Sequence, residues 1–197
     1  ARDLHAGTCT KGGGVDRGHN RIRDWLQGWL EERLSQSVLT EEYVSAWDEL
    51  TEELDAEGNS VVRRARLDVA FVDAEGRRAY VDVAVTSAAT VSTRGRSRRA
   101  AKDGVAAADM VRTKRSRYPA HKLPNSPLTP FVVEALGRLS PEAEDFLRAH
   151  APEDKAERSL VLRRAKQSLS VLVQVRLAEL LLSAEPGRLL GGPAPAA

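Results

Sequence analysis

The sequence predicts an α/β domain in which a small mixed sheet is flanked by helices. Three observations predict it. Apolar residues recur at three- and four-residue spacing over residues 21–34, which is typical of an amphipathic helix. Two alternating apolar runs flank a glycine-containing turn within residues 63–87, which indicates a β-hairpin. A basic helical segment and a short, almost wholly apolar strand follow the hairpin.

Length and composition limit the class of protein. The 197 residues correspond to one domain, or to a domain with an appendage, and the apolar content of 42% suffices for a core. No apolar run approaches the roughly 20 residues that span a bilayer, so no membrane partner is expected. One cysteine and a polar N-terminus without a signal peptide favour a reducing, intracellular compartment. Because the chain begins with Ala1 and not with methionine, we expect a fragment of a longer protein.

In the segment before the hairpin, the sequence predicts one helix and leaves the secondary structure of the remaining residues undecided. Residues 1–18 are glycine-rich and are expected to lie outside the domain, which would span residues 19–184. Asn20 is the expected N-cap of the first helix, whose tryptophans should face the core. Residues 38–54 fit either a helix or short strands, and residues 56–60 are predicted to be a loop.

The hairpin places one aspartate in each of two apolar strands. Asp68 stands in the first strand and Asp82 in the second, on either side of a turn that contains Gly76. A carboxylate inside a sheet is costly unless it is paired, and two neighbouring carboxylates raise each other's pKa unless a cation lies between them. The simplest reason to keep both is a divalent metal ion with oxygen ligands.

After the hairpin, helices alternate with a strand. Residues 88–97 are small, polar and expected to be flexible, and a helix is predicted from Ser97 to Tyr118, before Pro119. Residues 128–135 predict a strand that is buried on both faces. Ser140 is an N-cap that begins a helix ending near His150. A long helix is predicted over residues 155–183, and residues 185–197 are expected to be disordered.

The charges are strongly segregated. Residues 31–57 contain ten acidic residues and one basic residue, whereas residues 94–122 contain ten basic and two acidic residues. A block of positive charge directly after the hairpin favours a polyanionic partner such as nucleic acid. The alternative is a solvated helix balanced by the acidic segment, in which case the domain would be structural.

Several short blocks in one order resemble a known family, the restriction-like endonuclease domain of reverse transcriptases from non-LTR retrotransposons. This domain belongs to the PD-(D/E)XK nuclease superfamily. The resemblance covers nearly all of residues 5–184. Its blocks are HAGTCTKGGG, GHNRIRDWL, ARLDVAF, AYVDVAVTS, KRSRY, LTPFVVEALGRLSPEAEDFL and RRAKQSLSVLVQVRLAELLL.

The resemblance implies a PD-(D/E)XK restriction-endonuclease-like core and an Mg²⁺- or Mn²⁺-dependent enzyme that nicks target DNA to prime reverse transcription. Asp68 and Asp82 would be the metal ligands. Ala84 stands where the motif has a lysine, and Leu67 stands where it usually has a proline. In this branch a lysine from the next helix can take the missing role. Our candidate is Lys114, with Lys102 as second choice, although Lys114 could equally be a plain phosphate-contacting lysine.

The resemblance also gives meaning to the N-terminal segment. The family carries a zinc knuckle just upstream, and His5 and Cys9 resemble its last two ligands, so Zn²⁺ is expected only in a longer protein. His19 matches the start of the family's first helix, where it could cap the helix or face the active site, and we favour the cap.

Partners follow from the same resemblance. They are target DNA, the element RNA, and the rest of the reverse transcriptase polyprotein in the nucleus. A catalytically degenerate nucleic-acid-binding domain of the same fold is the alternative function. The residues expected to contact nucleic acid are Arg66, Arg94, Arg96, Arg98, Arg99, Lys102, Arg112, Arg115 and Arg117.

Overall fold

The fold is that of a computed structural model, which describes residues 14–87 and 102–183. These residues form an α/β domain, which confirms the predicted fold class. The helices are α1 (Gly14–Leu34), α2 (Val105–Arg117), α3 (Pro141–Ala149) and α4 (Lys155–Ser183). The strands are β1 (Leu39–Tyr43), β2 (Glu49–Leu54), β3 (Ser60–Arg63), β4 (Arg66–Val72), β5 (Arg78–Thr86) and β6 (Leu128–Glu134).

The main sheet is mixed and has the strand order β1-β4-β5-β6. β1 is antiparallel to β4, β4 is antiparallel to β5, and β6 runs parallel to β5. The chain reaches β6 through α2, because parallel neighbours need a crossover connection. β2 and β3 form a separate two-stranded sheet.

One face of the main sheet carries a single large core. α1, α3 and α4 contribute side chains to it, and the sheet contributes residues such as Val83 of β5 and Phe131 of β6. The fully buried residues of this core with 0% exposure are Ile22, Leu26, Leu30, Val69, Val81, Phe131, Val133, Ala143, Leu147, Leu169 and Val173.

The opposite face carries two smaller clusters. Ala84 and Val132 of the sheet pack against Ala107 and Val111 of α2. Further along the sheet, Tyr80 belongs to a cluster centred on the fully buried Trp47. The second cluster comprises Val44, Trp47, Ala65, Leu67, Ala70 and Tyr80.

Several boundaries differ from the prediction. α1 begins at Gly14, so Asn20 lies inside the helix and the predicted N-cap is wrong. Residues 38–54, which fit either a helix or short strands, form strands β1 and β2. Strand β3 begins at Ser60, the last residue of the predicted loop. α2 begins at Val105, after Gly104 in the left-handed conformation (φ 76°). The bounds of α4 agree with the prediction, whereas residues 1–13, 88–101 and 184–197 lie outside the described residues.

Candidate active site

The two aspartates lie where the ladder between the two central strands ends. The register of β4 and β5 runs from the pair Val72 and Arg78 to the pair Val69 and Val81. One further step would place Asp68 opposite Asp82, but these residues do not pair. Instead the backbone N–H of Val83 donates to Oδ2 of Asp68 at 2.6 Å. A carboxylate therefore takes the place of a ladder carbonyl, which brings the side chain of Asp68 to the neighbouring strand.

The sheet is also irregular on the other side of Asp68. β1 pairs with β4 at Thr40–Val69 and at Glu42–Leu67, but Glu41 and Asp68 between them are not register partners. Glu41 has φ of 57°, a left-handed conformation that is uncommon for a residue other than glycine. Such strain persists only where surrounding contacts fix it, and it often marks functional sites.

The carboxylates are buried next to a cation from α2. Asp68 is 7% exposed and Asp82 is 3% exposed. Nζ of Lys114 lies 2.7 Å from Oδ2 of Asp82 and forms an ion pair with it. Among the described residues this oxygen has no well-oriented hydrogen-bond partner. The ammonium of Lys114 therefore occupies this oxygen without a well-aligned hydrogen bond, and a ligand that displaced the ammonium would find an acceptor there.

A second potential cation approaches from α1. Nε2 of His19 lies 3.1 Å from Oδ2 of Asp68, and its Nδ1 lies 3.3 Å from Oδ1 of Asn20. His19 therefore faces the aspartate pair, so our preference for a helix cap was wrong. Two elements distant in sequence thus bring nitrogen groups to the two carboxylates of the hairpin.

The pKa values of the two aspartates diverge. Burial and the charge of Asp68 raise the pKa of Asp82 to about 7, although Lys114 opposes the shift. Burial also acts to raise the pKa of Asp68, but the hydrogen bond and charge of His19 outweigh it, so this pKa lies below its usual value. The pKa of His19 is raised because Asp68 overcomes the effect of burial.

Tyr118 closes one side of the site. It follows Lys114 by one helical turn, and its ring packs edge-on against Trp47 at a centroid distance of 5.6 Å. Burial, assisted by the negative charges of Asp82 and Asp68, raises the pKa of Tyr118 to about 12. Its phenol is thus neutral near pH 7.

The donor set suits a hard divalent cation. The described residues contain no group of three or more His, Cys, Asp and Glu side chains arranged to hold a metal ion. Mg²⁺, however, is commonly held by one or two carboxylates and keeps several of its waters. Two adjacent buried carboxylates, those of Asp68 and Asp82, meet this requirement.

Ala84, where the family resemblance predicts a lysine, is packed against α2. Ala84 is 8% exposed and lies in the cluster with Ala107 and Val111 of α2. A lysine there would have to displace the helix. The helix that fills this space also carries Lys114, so the ammonium reaches Asp82 from α2 instead of from β5.

The residues expected to contact nucleic acid are dispersed. Arg66, Lys102, Arg112 and Arg115 are exposed, and Arg115 lies 3.1 Å from Glu142. Arg117 has structural partners: it donates to the carbonyls of Trp47 and Arg63 and pairs with Glu49 at 2.5 Å. His5, Cys9, Arg94, Arg96, Arg98 and Arg99 lie outside the described residues.

Within the described part of the chain, no helix is both long and apolar enough to cross a membrane. No protein-family model matches the chain, and no curated protein matches it.

Proposed function

We propose that the chain is a metal-dependent DNA endonuclease domain with a PD-(D/E)XK-like core, related to the restriction-like endonucleases of non-LTR retrotransposons. One observation carries the proposal: Asp68, Asp82 and the ammonium of Lys114 converge at the end of the β4–β5 ladder. Burial makes the two carboxylates costly to the fold, so a role in binding a cation accounts for their presence.

Each residue has a distinct task in this proposal. Asp68 and Asp82 would hold Mg²⁺ or Mn²⁺ with the help of a backbone carbonyl near Val83. The ion, when bound, lowers the pKa of a water ligand and neutralises charge on the scissile phosphate. Lys114 orients the attacking water and stabilises the charge that develops on the phosphate. His19 fixes the orientation of Asp68, as hydrogen-bonded outer groups commonly do for ligands.

The reaction is the hydrolysis of one phosphodiester. Water adds to phosphorus, the bond from phosphorus to the 3′ oxygen breaks, and that oxygen takes up a proton. The products are a 5′ phosphate and a 3′ hydroxyl, and the hydroxyl could prime reverse transcription. In the nucleus of a cell that carries the element, this would serve insertion into target DNA, with the element RNA as template and the rest of the polyprotein as polymerase.

The proposal is tested by nicking of supercoiled plasmid with Mg²⁺ or Mn²⁺. Asp68→Ala should abolish nicking, a loss of at least about 100-fold, because it removes a metal ligand and the acceptor of the Val83 N–H. DNA affinity in EDTA should change little. The matched control is Glu75→Ala, which removes an exposed carboxylate from the turn of the same hairpin and should leave nicking intact. An Asp68→Ala protein that folds and still nicks would refute the assignment.

A second function has its own supporting observation. Because Lys114 lies 2.7 Å from Asp82, its ammonium could substitute permanently for a metal ion in a degenerate, non-catalytic nucleic-acid-binding domain. Removing the ammonium distinguishes the two functions. For a nuclease, Lys114→Met should lower the nicking rate about 10- to 1000-fold while Mn²⁺ still binds.

The matched control for that variant is Lys122→Met, which removes an exposed lysine from the turn after α2. Mn²⁺ binding is measured by calorimetry on the wild type and both variants. A wild type that binds neither Mn²⁺ nor Mg²⁺ and never nicks plasmid would support the degenerate domain.

A further inference from the structure

An exposed aromatic ring stands at the end of β1 with an arginine over it. Tyr43 is 49% exposed, and the guanidinium carbon of Arg64 lies 5.9 Å from the centroid of its ring. This distance is within the range of a cation–π contact. A cation therefore lies beside the ring, and about half of the residue's surface remains open to solvent.

The ring is held in place by its hydroxyl group. The hydroxyl of Tyr43 donates to Oδ2 of Asp48, and Oδ1 of Asp48 accepts the backbone N–H of Ala65 at 2.8 Å. Ala65 immediately precedes Arg66 at the start of β4. The aromatic plane is thus tied to the strand that carries Asp68, and its orientation is fixed before any ligand arrives.

The surroundings of this ring are basic and close to the site. In the register of β1 and β4, Tyr43 pairs with Arg66, which stands two residues before Asp68. Arg63, Arg64 and Arg66 are all exposed. The segment that carries the ring is itself acidic, but its acids near the ring already have partners: Glu41 pairs with Arg23, Glu42 with Arg78 and Glu49 with Arg117. Asp48 accepts hydrogen bonds from Tyr43 and from Ala65. A negatively charged ligand could therefore approach the ring.

We propose that Tyr43 and Arg64 form a stacking platform for one unpaired base of a DNA strand whose backbone is held beside the aspartate pair. The inference builds on the proposed nuclease function and adds a preference for DNA that is single-stranded or locally unpaired. Aromatic rings combined with arginines are the usual means of holding single strands, because every base presents a π-face.

The chemistry disfavours other occupants. An aromatic ring can also hold an organic cation, but Arg63, Arg64 and Arg66 are near, so a further cation would be repelled. A purely apolar partner would offer no anion to these three exposed arginines. A nucleotide supplies both a flat ring for Tyr43 and a phosphate for the arginines.

Binding is measured in EDTA, so that cleavage plays no part. The probe is a thymidine oligonucleotide of about 12 residues with one central 2-aminopurine, whose fluorescence falls when the base stacks. Tyr43→Ala should weaken binding about 5- to 100-fold and remove the quenching. Tyr43→Phe keeps the ring but loses the hydroxyl contact with Asp48, so it should retain most of the binding and quenching. Leu39→Ala, at an equally exposed position (49%) of the same strand, is the matched control and should change neither.

Two results would overturn the platform. One is a Tyr43→Ala protein that binds and quenches like the wild type. The other is a Tyr43→Phe protein that loses as much affinity as Tyr43→Ala, since the hydroxyl contact with Asp48 and not the ring would then be responsible. The nuclease can fail separately: quenching without any nicking of plasmid supports the platform and refutes the enzyme, and nicking without quenching does the reverse.

Discussion

The two faces of the main sheet are built differently. The face under α1, α3 and α4 carries one continuous apolar core, in which eleven residues are fully buried. The opposite face carries two small clusters, one under α2 and one around Trp47. Asp82 stands in β5 between Tyr80 of one cluster and Ala84 of the other.

The difference shows where this fold can accept polar groups. A sheet that is packed well on one face retains its register even if the other face is interrupted. The interruption leaves room for two carboxylates, whose burial would be unacceptable within a continuous core. The continuous face should therefore provide most of the stability, and the divided face the chemistry.

The largest expected effect concerns stability of the continuous face. Phe131 is fully buried there, and its ring packs edge-on against Phe146 at 6.1 Å. Phe131→Ala should lower the free energy of unfolding by about 3–5 kcal/mol because it leaves a large cavity. Val111→Ala in the small cluster under α2 should cost about 1–2 kcal/mol. Urea denaturation of both variants measures the contrast, and equal losses would refute the distinction between the faces.

A smaller effect is expected where α1 meets α4 on the continuous face. A Cβ added at Gly18 would lie 2.0 Å from Cδ of the buried Arg176, so Gly18→Ala should cost about 2–3 kcal/mol. Gly28 in the same helix has nothing within 4 Å of such a Cβ, and Gly28→Ala should stabilise the protein by about 0.5–1 kcal/mol. Thermal unfolding compares the two, and a neutral Gly18→Ala would show that this contact readily gives way.

The smallest expected effect is a dependence on pH from the divided face. The pKa of Asp82 is raised by burial to about 7 in the folded protein, above its unfolded value of 3.8. The folded protein therefore binds this proton more tightly, and the contribution of Asp82 to stability falls as pH rises from about 4 to about 7.

Asp82→Asn should remove that dependence. In EDTA the variant should be nearly as stable as the wild type at about pH 4, and more stable than the wild type at about pH 8. The attraction of Lys114 is already included in the raised pKa, so this gain reflects the net cost of the ionised carboxylate. Urea denaturation at several pH values measures the difference between the two proteins. A difference that does not vary with pH would contradict the raised pKa.

The sequence predicted those elements whose signals are local. The bounds of α4 agree with the prediction, and α3 begins at Pro141 because Oγ of Ser140 accepts the N–H of Ala143. Asp68 and Asp82 were found because acids are conspicuous in apolar strands. Lys114 was chosen through the family resemblance, and the structure brings its ammonium to Asp82.

The features that the sequence did not predict depend on tertiary contacts. Residues 14–20 show no apolar stripe, and the helix extends through them to a close contact between Gly18 and Arg176 of α4. For that reason His19 was expected at a helix end, although it lies inside the helix and faces Asp68. The left-handed backbone of Glu41 gives no sequence signal, because nothing but its pairing with β4 distinguishes it from an ordinary strand residue. His19 is a polar residue one helical turn before the first apolar residue of the stripe in α1. This position was the sequence signal that could have identified it.

The four site residues, His19, Asp68, Asp82 and Lys114, come from different parts of the chain, and their separation along the sequence affects the order of folding. Asp68 and Asp82 belong to one hairpin and can meet early, whereas the contact between His19 and Asp68 joins residues 49 positions apart. Local pairings generally form faster than distant ones, because less chain entropy is lost in closing them. The hairpin should thus form with its two carboxylates still hydrated, and they should lose their water only when α1 and α2 dock. Completion of the site would then coincide with the final, slowest step of collapse.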